Sequence, residues 1–344
     1  VPRINIAVVG FGLIGQEHAQ RLHDAPNLGL ACVVDPVADP AVIQARFGCP
    51  LEPDLEALLA RDDIDGVVLA TPNDLHAAQA IQCIQAGFPV LIEKPIAHSL
   101  EQALEVQAQA KHHAMLDRCL VGHHRVYSAT MQRARDIISS GQIGQPVAVN
   151  ATALFFKPAD YFKAGAWRTQ PGGGPILINL IHEVGNLRAL LGEITEVVGL
   201  SSRATRQFAV EDTAGVVIRF ESGAMGTFLL SDCAASTHSW EQTSGENPSY
   251  HRDNAAHCYL VAGTRGSLSV PDLRLQRFAE GTESSWWNPM QSQSITVAAV
   301  DPLVAQLEHF GEVIRRRQRP KVSLADGIEN LRVAEQIADA CRPG

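Results

Sequence analysis

Several features that mark large classes of protein are missing from this chain. Its seven cysteines (32, 49, 83, 119, 233, 258 and 341) are odd in number, scattered and without a CxxC pair. That excludes a disulfide framework and suits free thiols in a reducing cytoplasm. Basic runs are scarce, and the formal charge is −9. A nucleic-acid or acidic-membrane partner needs a basic patch and is therefore not expected. The one dense run, Arg315-Arg316-Arg317, closes an amphipathic pattern that starts at Val304 and reads as a solvated helix end. No apolar stretch is long enough to span a bilayer, and the first strand-like run begins almost at once, so no leader is expected. The adjacent pairs His112-His113, His123-His124 and His257-Cys258 do not face one another on a helix, and no HxxxH spacing occurs. No metal site is expected.

What is present is ordinary in bulk and specific in one place. The 344 residues, 46% hydrophobic and 19% charged, suit a soluble globular protein of two domains. The apolar run Ile4–Val9 reads as a buried parallel strand, followed by Gly10-Phe11-Gly12-Leu13-Ile14-Gly15 and a helical pattern from Leu13 to His23. A second apolar run, Leu30 to Val34, ends on Asp35. A bare GxGxxG is weak, but strand, glycines, helix and a following acid together form a dinucleotide-binding unit. Gly10 permits the tight turn, Gly12 admits a pyrophosphate, and Gly15 lets helix and strand pack closely. The helix N–H groups face the phosphates. A carboxylate at Asp35 binds ribose hydroxyls and repels a 2′-phosphate, which favours NAD over NADP, although Arg46 lies nearby in sequence.

The alternation of strand and helix patterns continues to about residue 122, as a parallel sheet requires. Short helices are expected over 53–61, 75–86 and 100–113, with strands at 66–70, 89–92 and from 120. Beyond residue 123 a helix over 128–139 precedes strand-like segments at 146–156, 195–202, 214–220 and 224–231. The fold expected is α/β: a doubly wound Rossmann domain over 1–122, then an α+β domain over 123–344 with an open, mostly antiparallel sheet. Two polar loops, 232–256 and 280–293, stand out, the second carrying Trp286-Trp287.

Ligands of parallel sheets bind at the carboxyl ends of the strands. There the chain places Thr71-Pro72-Asn73 with His76, and Glu93-Lys94-Pro95, all expected to line the cofactor. Lys94 beside a nicotinamide stabilises developing alkoxide charge. Further on, Gly172-Gly173-Gly174 leads into a nearly all-apolar helix over 176–192. Asn179, His182 and Asn186 fall on one of its faces, and a polar stripe on a buried helix needs partners or a cavity. Arg125, where two domains would join, is suited to a carboxylate or ring hydroxyl.

In this order, Gly10-x-Gly12-x-x-Gly15, Thr71-Pro72-Asn73 with His76, Glu93-Lys94-Pro95, Trp167-Arg168 and Gly172-Gly173-Gly174 with His182 resemble the glucose–fructose oxidoreductase / inositol dehydrogenase / MocA family over nearly the whole chain. So does the ending Pro320–Gly327. The resemblance implies an NAD-dependent dehydrogenase acting on a hydroxyl carbon of a cyclic polyol, sugar or related ring. In it Lys94 contacts the reacting hydroxyl and the nicotinamide ribose, His182 is the general base, and Arg168 helps to position substrate or nicotinamide; Trp167 and Asn179 are further candidates to contact substrate. It also implies a dimer or tetramer through the second sheet and a last helix that returns toward the Rossmann domain. One departure stands out: the family's aspartate four residues before the histidine is Ile178 here. A catalytically silent ligand sensor of the same fold and an NAD-using glycosidase are the alternative readings.

Overall fold

The computed structural model describes residues 3–342 and contains two compact units. The first comprises the chain up to His124 together with Asp301–Arg332, and the second comprises Arg125–Val300 and the chain from Val333 onward. The expected division at residue 122 therefore differs in two respects. The boundary falls two residues later, and Asp301–Arg332, expected in the second domain, is counted with the first unit.

The first unit carries strands β1 (Ile4–Val9), β2 (Leu28–Val34), β3 (Leu51–Glu52), β4 (Gly66–Leu69), β5 (Val90–Glu93) and β6 (Cys119–Gly122). They form one parallel sheet in the order β3-β2-β1-β4-β5-β6, with β1 paired to both β2 and β4. That is the doubly wound order, whose reversal between β1 and β4 opens a crevice at the strand ends. β4 and β5 are buried throughout and β1 everywhere but at Asn5, as expected of parallel strands covered on both faces. Helices α1 (Leu13–Asp24), α2 (Pro40–Phe47), α3 (Leu55–Leu59), α4 (Asn73–Gln85) and α5 (Leu100–His112) make the crossovers. The sequence reading missed α2 and β3; both are short, and α2 starts on an Asp39 cap followed by proline.

The second unit carries α6 (Ala129–Ser139), α7 (Ala159–Lys163), α8 (Ile181–Leu191) and α9 (Trp240–Thr243). Its strands are β7 (Pro146–Leu154), β8 (Ile194–Ser202), β9 (Thr213–Phe220), β10 (Met225–Ser231), β11 (Tyr259–Gly263), β12 (Gly266–Val270), β13 (Arg274–Arg277) and β14 (Gln291–Ser294). The sheet order is β14-β13-β12-β11-β7-β10-β9-β8, antiparallel except for the β7–β10 pair. Four of these strands, β11 to β14, were not foreseen: serine and glutamine dilute the alternation in β12 and β14, and β11 and β13 are only five and four residues long. Residues alternate cleanly elsewhere: Val216, Ile218, Phe228 and Leu230 are buried in the core with Leu180, Val184 and Leu187, while Val198, Leu200, Val217 and Leu229 are exposed.

Two last helices, α10 (Pro302–Ile314) and α11 (Leu324–Ala340), complete the chain. α10 belongs to the first unit for a packing reason. Gly66 leaves room for it: a Cβ there would sit 2.6 Å from Ile314 Cδ1. Asp301 caps the helix and also accepts from Arg21 on α1 at 2.9 Å. The start of α11 is tied in by the Val121 N–H, which donates to Val322 O at 3.0 Å. None of the helices among the described residues is long and apolar enough to cross a membrane.

Candidate active site

In the first unit the glycine turn is built as its spacing predicts. Gly10 has φ +91°, and a Cβ there would lie 2.7 Å from Ala70 O. A Cβ on Gly15 would lie 2.0 Å from Gly10 O, so helix and turn touch backbone to backbone. Gly12 is different: a Cβ there would meet nothing within 4 Å. It is the N-cap of α1, with no side-chain cap and no acid in the first turn. Amide donors and the positive helix end thus face open space, which is the cradle a pyrophosphate requires. Leu13 beside it is exposed and Ile14 half-buried.

Asp35 is half-buried at the end of β2, where its Oδ2 accepts from the Phe11 N–H at 2.8 Å. Its Oδ1 accepts from the Val37 and Ala38 N–H groups, each at 2.9 Å. The carboxylate ties the glycine turn to the next loop, and Oδ2, with a single donor, keeps a lone pair for a ribose hydroxyl. Arg46 lies over the Phe47 ring at 4.8 Å and donates to Gln16.

Two residues expected to line the cofactor, His76 and Glu93, are buried and tie neighbouring elements together. His76 is 1% exposed, with Nδ1 2.8 Å from Pro95 O and Nε2 2.9 Å from Thr71 O. It lies on the inward face of α4 and joins the loops after β4 and β5. Burial lowers its pKa although both carbonyls favour the charged ring. Glu93 is also buried, with Oε1 2.8 Å from His18 Nε2 on α1 and Oε2 accepting from the Lys94 N–H at 3.2 Å. Burial alone would raise its pKa. The His18 hydrogen bond and the charges of His18, His124 and Lys94 outweigh that and bring it down to about 2. Lys94 itself is half-buried one residue past β5. Thr71 donates to Gln79 Oε1 at 2.6 Å, and α4 starts directly after Pro72, at Asn73.

In the second unit, Gly172-Gly173-Gly174 enters a π-helical turn, Ile176–Leu180, before α8 begins. The spacing that put Asn179, His182 and Asn186 on one face assumed 3.6 residues per turn, which a π turn breaks. Asn186 is buried and donates to Tyr259 OH at 2.9 Å, whereas Asn179 Oδ1 accepts from Lys157 Nζ at 2.6 Å. His182 is half-buried in the first turn of α8.

Glu183, beside His182, anchors a buried ionic cluster. Arg125 donates to Glu183 Oε1 at 2.5 Å and to Glu241 Oε1 at 2.7 Å, and lies over the Trp240 ring. Tyr259 OH donates to Glu183 Oε2. Burial pushes Glu183 and Tyr259 up, while the two carboxylates outweigh burial at Arg125 and hold its charge. Sequence reasoning gave Arg125 to substrate; here its guanidinium is buried and already engaged by Glu183 and Glu241, in a unit reached only through chain folding.

A second cluster went unforeseen. Lys157 follows β7 and lies 4.6 Å over the Tyr161 ring; Arg168 lies 4.0 Å over the same ring and donates to Tyr161 O. Burial lowers Lys157 to about 8, against the opposing charges of Asp232 and Glu241 and with help from Arg168 and Arg206. Arg206 is paired with Asp232 at 2.7 Å. Trp167 is exposed. Nothing local in Phe155-Phe156-Lys157-Pro158 marks that lysine, since the acids that act on it, Asp232 and Glu241, lie 75 and 84 positions away in sequence.

Comparison with known proteins agrees with this architecture. Residues 4–123 match the oxidoreductase family with an NAD-binding Rossmann fold, and residues 131–269 match the Gfo/Idh/MocA C-terminal domain. The scyllo-inositol 2-dehydrogenase (NAD(+)) of Bacillus subtilis strain 168 is 29% identical, over 99% of this chain and 95% of its own length. The 1,5-anhydro-D-fructose reductase of Ensifer adhaerens is 29% identical over 84% of this chain and 81% of its own. Among solved structures, an oxidoreductase from Agrobacterium radiobacter, in complex with NAD+, L-tartaric acid and magnesium, superposes with a TM-score of 0.81 at 18% identity. That match covers 98% of this chain and 96% of the other.

Proposed function

The chain belongs to the Gfo/Idh/MocA family of NAD-dependent oxidoreductases, and we propose that it oxidises a hydroxyl-bearing carbon of a cyclic polyol, sugar or related hydroxylated ring. The observation that carries this reading is the open cradle at Gly12, with Lys94 at the carboxyl end of β5 in the same unit. Bound there, the nicotinamide dinucleotide accepts a hydride. The residues do the rest. Gly10, Phe11, Gly12, Leu13, Ile14 and Gly15 hold the pyrophosphate, and Asp35 holds the adenosine ribose and disfavours a 2′-phosphate. Thr71, Pro72 and Asn73 line the same edge, while His76 and Glu93 fix the loops that carry them. Lys94 donates to the reacting oxygen and steadies the charge that grows on it. His182 takes the hydroxyl proton, a task that suits a base titrating near neutrality. Trp167, Arg168 and Asn179 position the substrate.

Arg125 acts at one remove in this reading. It fixes Glu183 and Glu241, and through Glu183 the first turn of α8, on which His182 stands.

The same reading makes the protein a homo-oligomer of the cytoplasm. Its seven cysteines are all unpaired thiols, six of them buried, as in reducing compartments. The exposed sheet face carries a cross-strand apolar row, Val198 beside Val217 and Leu200 beside Gly215 and Leu229, which supports self-association.

The test is NADH formation at 340 nm with NAD and a panel of inositols, aldoses, lactones and cyclic hydroxy acids. Turnover is expected for one class, and His182→Ala is expected to lower it by about a hundredfold or more with NAD binding unchanged. NAD binding without turnover across the panel would overturn the reading.

A further inference from the structure

The geometry points to a substrate that carries a carboxylate, held in the second unit by Lys157 and Arg168. This inference rests on the dehydrogenase reading above and names its substrate class. Lys157 and Arg168 flank one ring, that of Tyr161, at 4.6 and 4.0 Å. Neither has a carboxylate partner among the described residues. Lys157 Nζ donates to the neutral amide oxygen of Asn179 at 2.6 Å, and Arg168 donates to the backbone carbonyl of Tyr161. Arg168 Nε is buried and has no hydrogen-bond partner among those residues.

The acids close by are already engaged. Asp232 is paired with Arg206 at 2.7 Å, and Glu241 with Arg125 at 2.7 Å. Two cations with neutral partners around one aromatic ring leave a local excess of positive charge in a protein of net charge −9. Partial burial makes that excess costly. Burial also pulls the Lys157 ammonium down to about 8, by more than the charges of Asp232 and Glu241 raise it. A carboxylate satisfies both groups at once, accepting from the ammonium and from the guanidinium. A neutral polyol offers only hydroxyls and leaves the charges uncompensated.

Asn179 couples this anion site to the chemistry, standing three residues before His182. The acid end of the substrate is held by Lys157 and Arg168 while a hydroxyl further along meets the base. The reaction is then the oxidation of a hydroxy acid to a keto acid. The carbinol C–H and O–H bonds break and a C=O bond forms; the hydride goes to NAD and the proton to His182.

The experiment uses two pairs of a hydroxy acid and a neutral polyol: D-gluconate against D-glucitol, which differ only at C1, and the ring compounds quinate and myo-inositol. Calorimetry on NADH-saturated protein measures binding, and NADH formation from NAD measures turnover. One acid is expected to bind at least about tenfold more tightly than its neutral partner. Lys157→Met should abolish that preference, and Lys157→Arg should restore it. Arg168→Gln serves as a second variant if Lys157→Met does not fold. Equal binding of acid and neutral partner, equal loss for both in Lys157→Met, or no acid binding at millimolar concentration each overturns the inference. Acid binding that depends on Lys157, without NADH formation, would instead sink the dehydrogenase reading and leave the anion site standing. NADH formation from myo-inositol or D-glucitol, with no preference for either acid, would do the reverse.

Discussion

His18 Nε2 lies 2.8 Å from Glu93 Oε1 with both side chains out of solvent, which locks the residue before Lys94 to helix α1. The orientation of Lys94 is therefore set from the dinucleotide-binding helix. Glu93→Gln removes the charge that the His18 contact compensates, and the variant should lose on the order of 2–3 kcal/mol of stability in urea unfolding. It should also lose turnover at saturating NAD. Unchanged stability would mean that the pair contributes nothing to holding the strand end.

The same contact predicts a response to acid. The folded-state pKa of Glu93 is about 2, below its ordinary 4.5. The unfolded chain thus binds this proton more tightly. Its contribution is complete above the unfolded value and is lost as pH falls through the folded one. Wild type should accordingly lose more stability than Glu93→Gln between about pH 5 and pH 2. Parallel stability curves for the two proteins over that range would refute this.

Gly12 and Gly15 separate binding from folding. A Cβ on Gly15 would lie 2.0 Å from the Gly10 backbone oxygen, whereas one on Gly12 meets nothing within 4 Å. Gly15→Ala should unfold at lower temperature. Gly12→Ala should keep its melting temperature within a few degrees and weaken NAD binding by about tenfold or more, since the methyl fills the cradle. Tight NAD binding by Gly12→Ala would place the pyrophosphate elsewhere.

What was legible in the sequence follows from the range of the interactions that fix it. The glycine turn, Asp35 and the strand-end lysine are local patterns, read within a few residues, and they stand where the pattern puts them. Arg125 and Lys157 are set by partners up to 116 positions away in sequence, such as Glu241, and no spacing reports such contacts. The polar stripe on the helix over 176–192 failed for a different reason. Its first residue, Asn179, lies in a π turn, and binary patterning assumes a constant period. Asp301–Arg332 clusters with the first unit, which the pattern could not report, because amphipathicity shows that α10 has a buried face but not which sheet covers it.

Lys157 predicts a difference between substrates with pH. Its charge is lost as pH rises through about 8, lowered by burial, Arg168 and Arg206 and supported by Asp232 and Glu241. Only the ammonium pairs with a carboxylate. For an acid substrate kcat/KM should fall above pH 8, while a neutral analogue shows no such fall, so the ratio of the two reports Lys157 rather than the base. In Lys157→Arg, whose guanidinium stays charged, the fall should vanish. A ratio flat across pH 7–9 in wild type would show that Lys157 does not bear on substrate charge.

The open face of the second sheet makes the last prediction. Leu200 is 82% exposed and Val198 61%, and both project from β8 on the face away from the core. They continue across Val217 and Leu229 on β9 and β10. An exposed apolar row of this kind marks an interaction surface, and in the proposed homo-oligomer a second copy of the same face would cover it with matching rows. Wild type should sediment as a dimer or larger, and Leu200→Glu, which buries a carboxylate at the contact, should shift it to monomer at micromolar concentration. Because Leu200 points away from the core, the melting temperature of the variant's monomer should still show a folded chain. A monomeric wild type, or a Leu200→Glu protein that sediments as wild type does, would remove this face from the assembly.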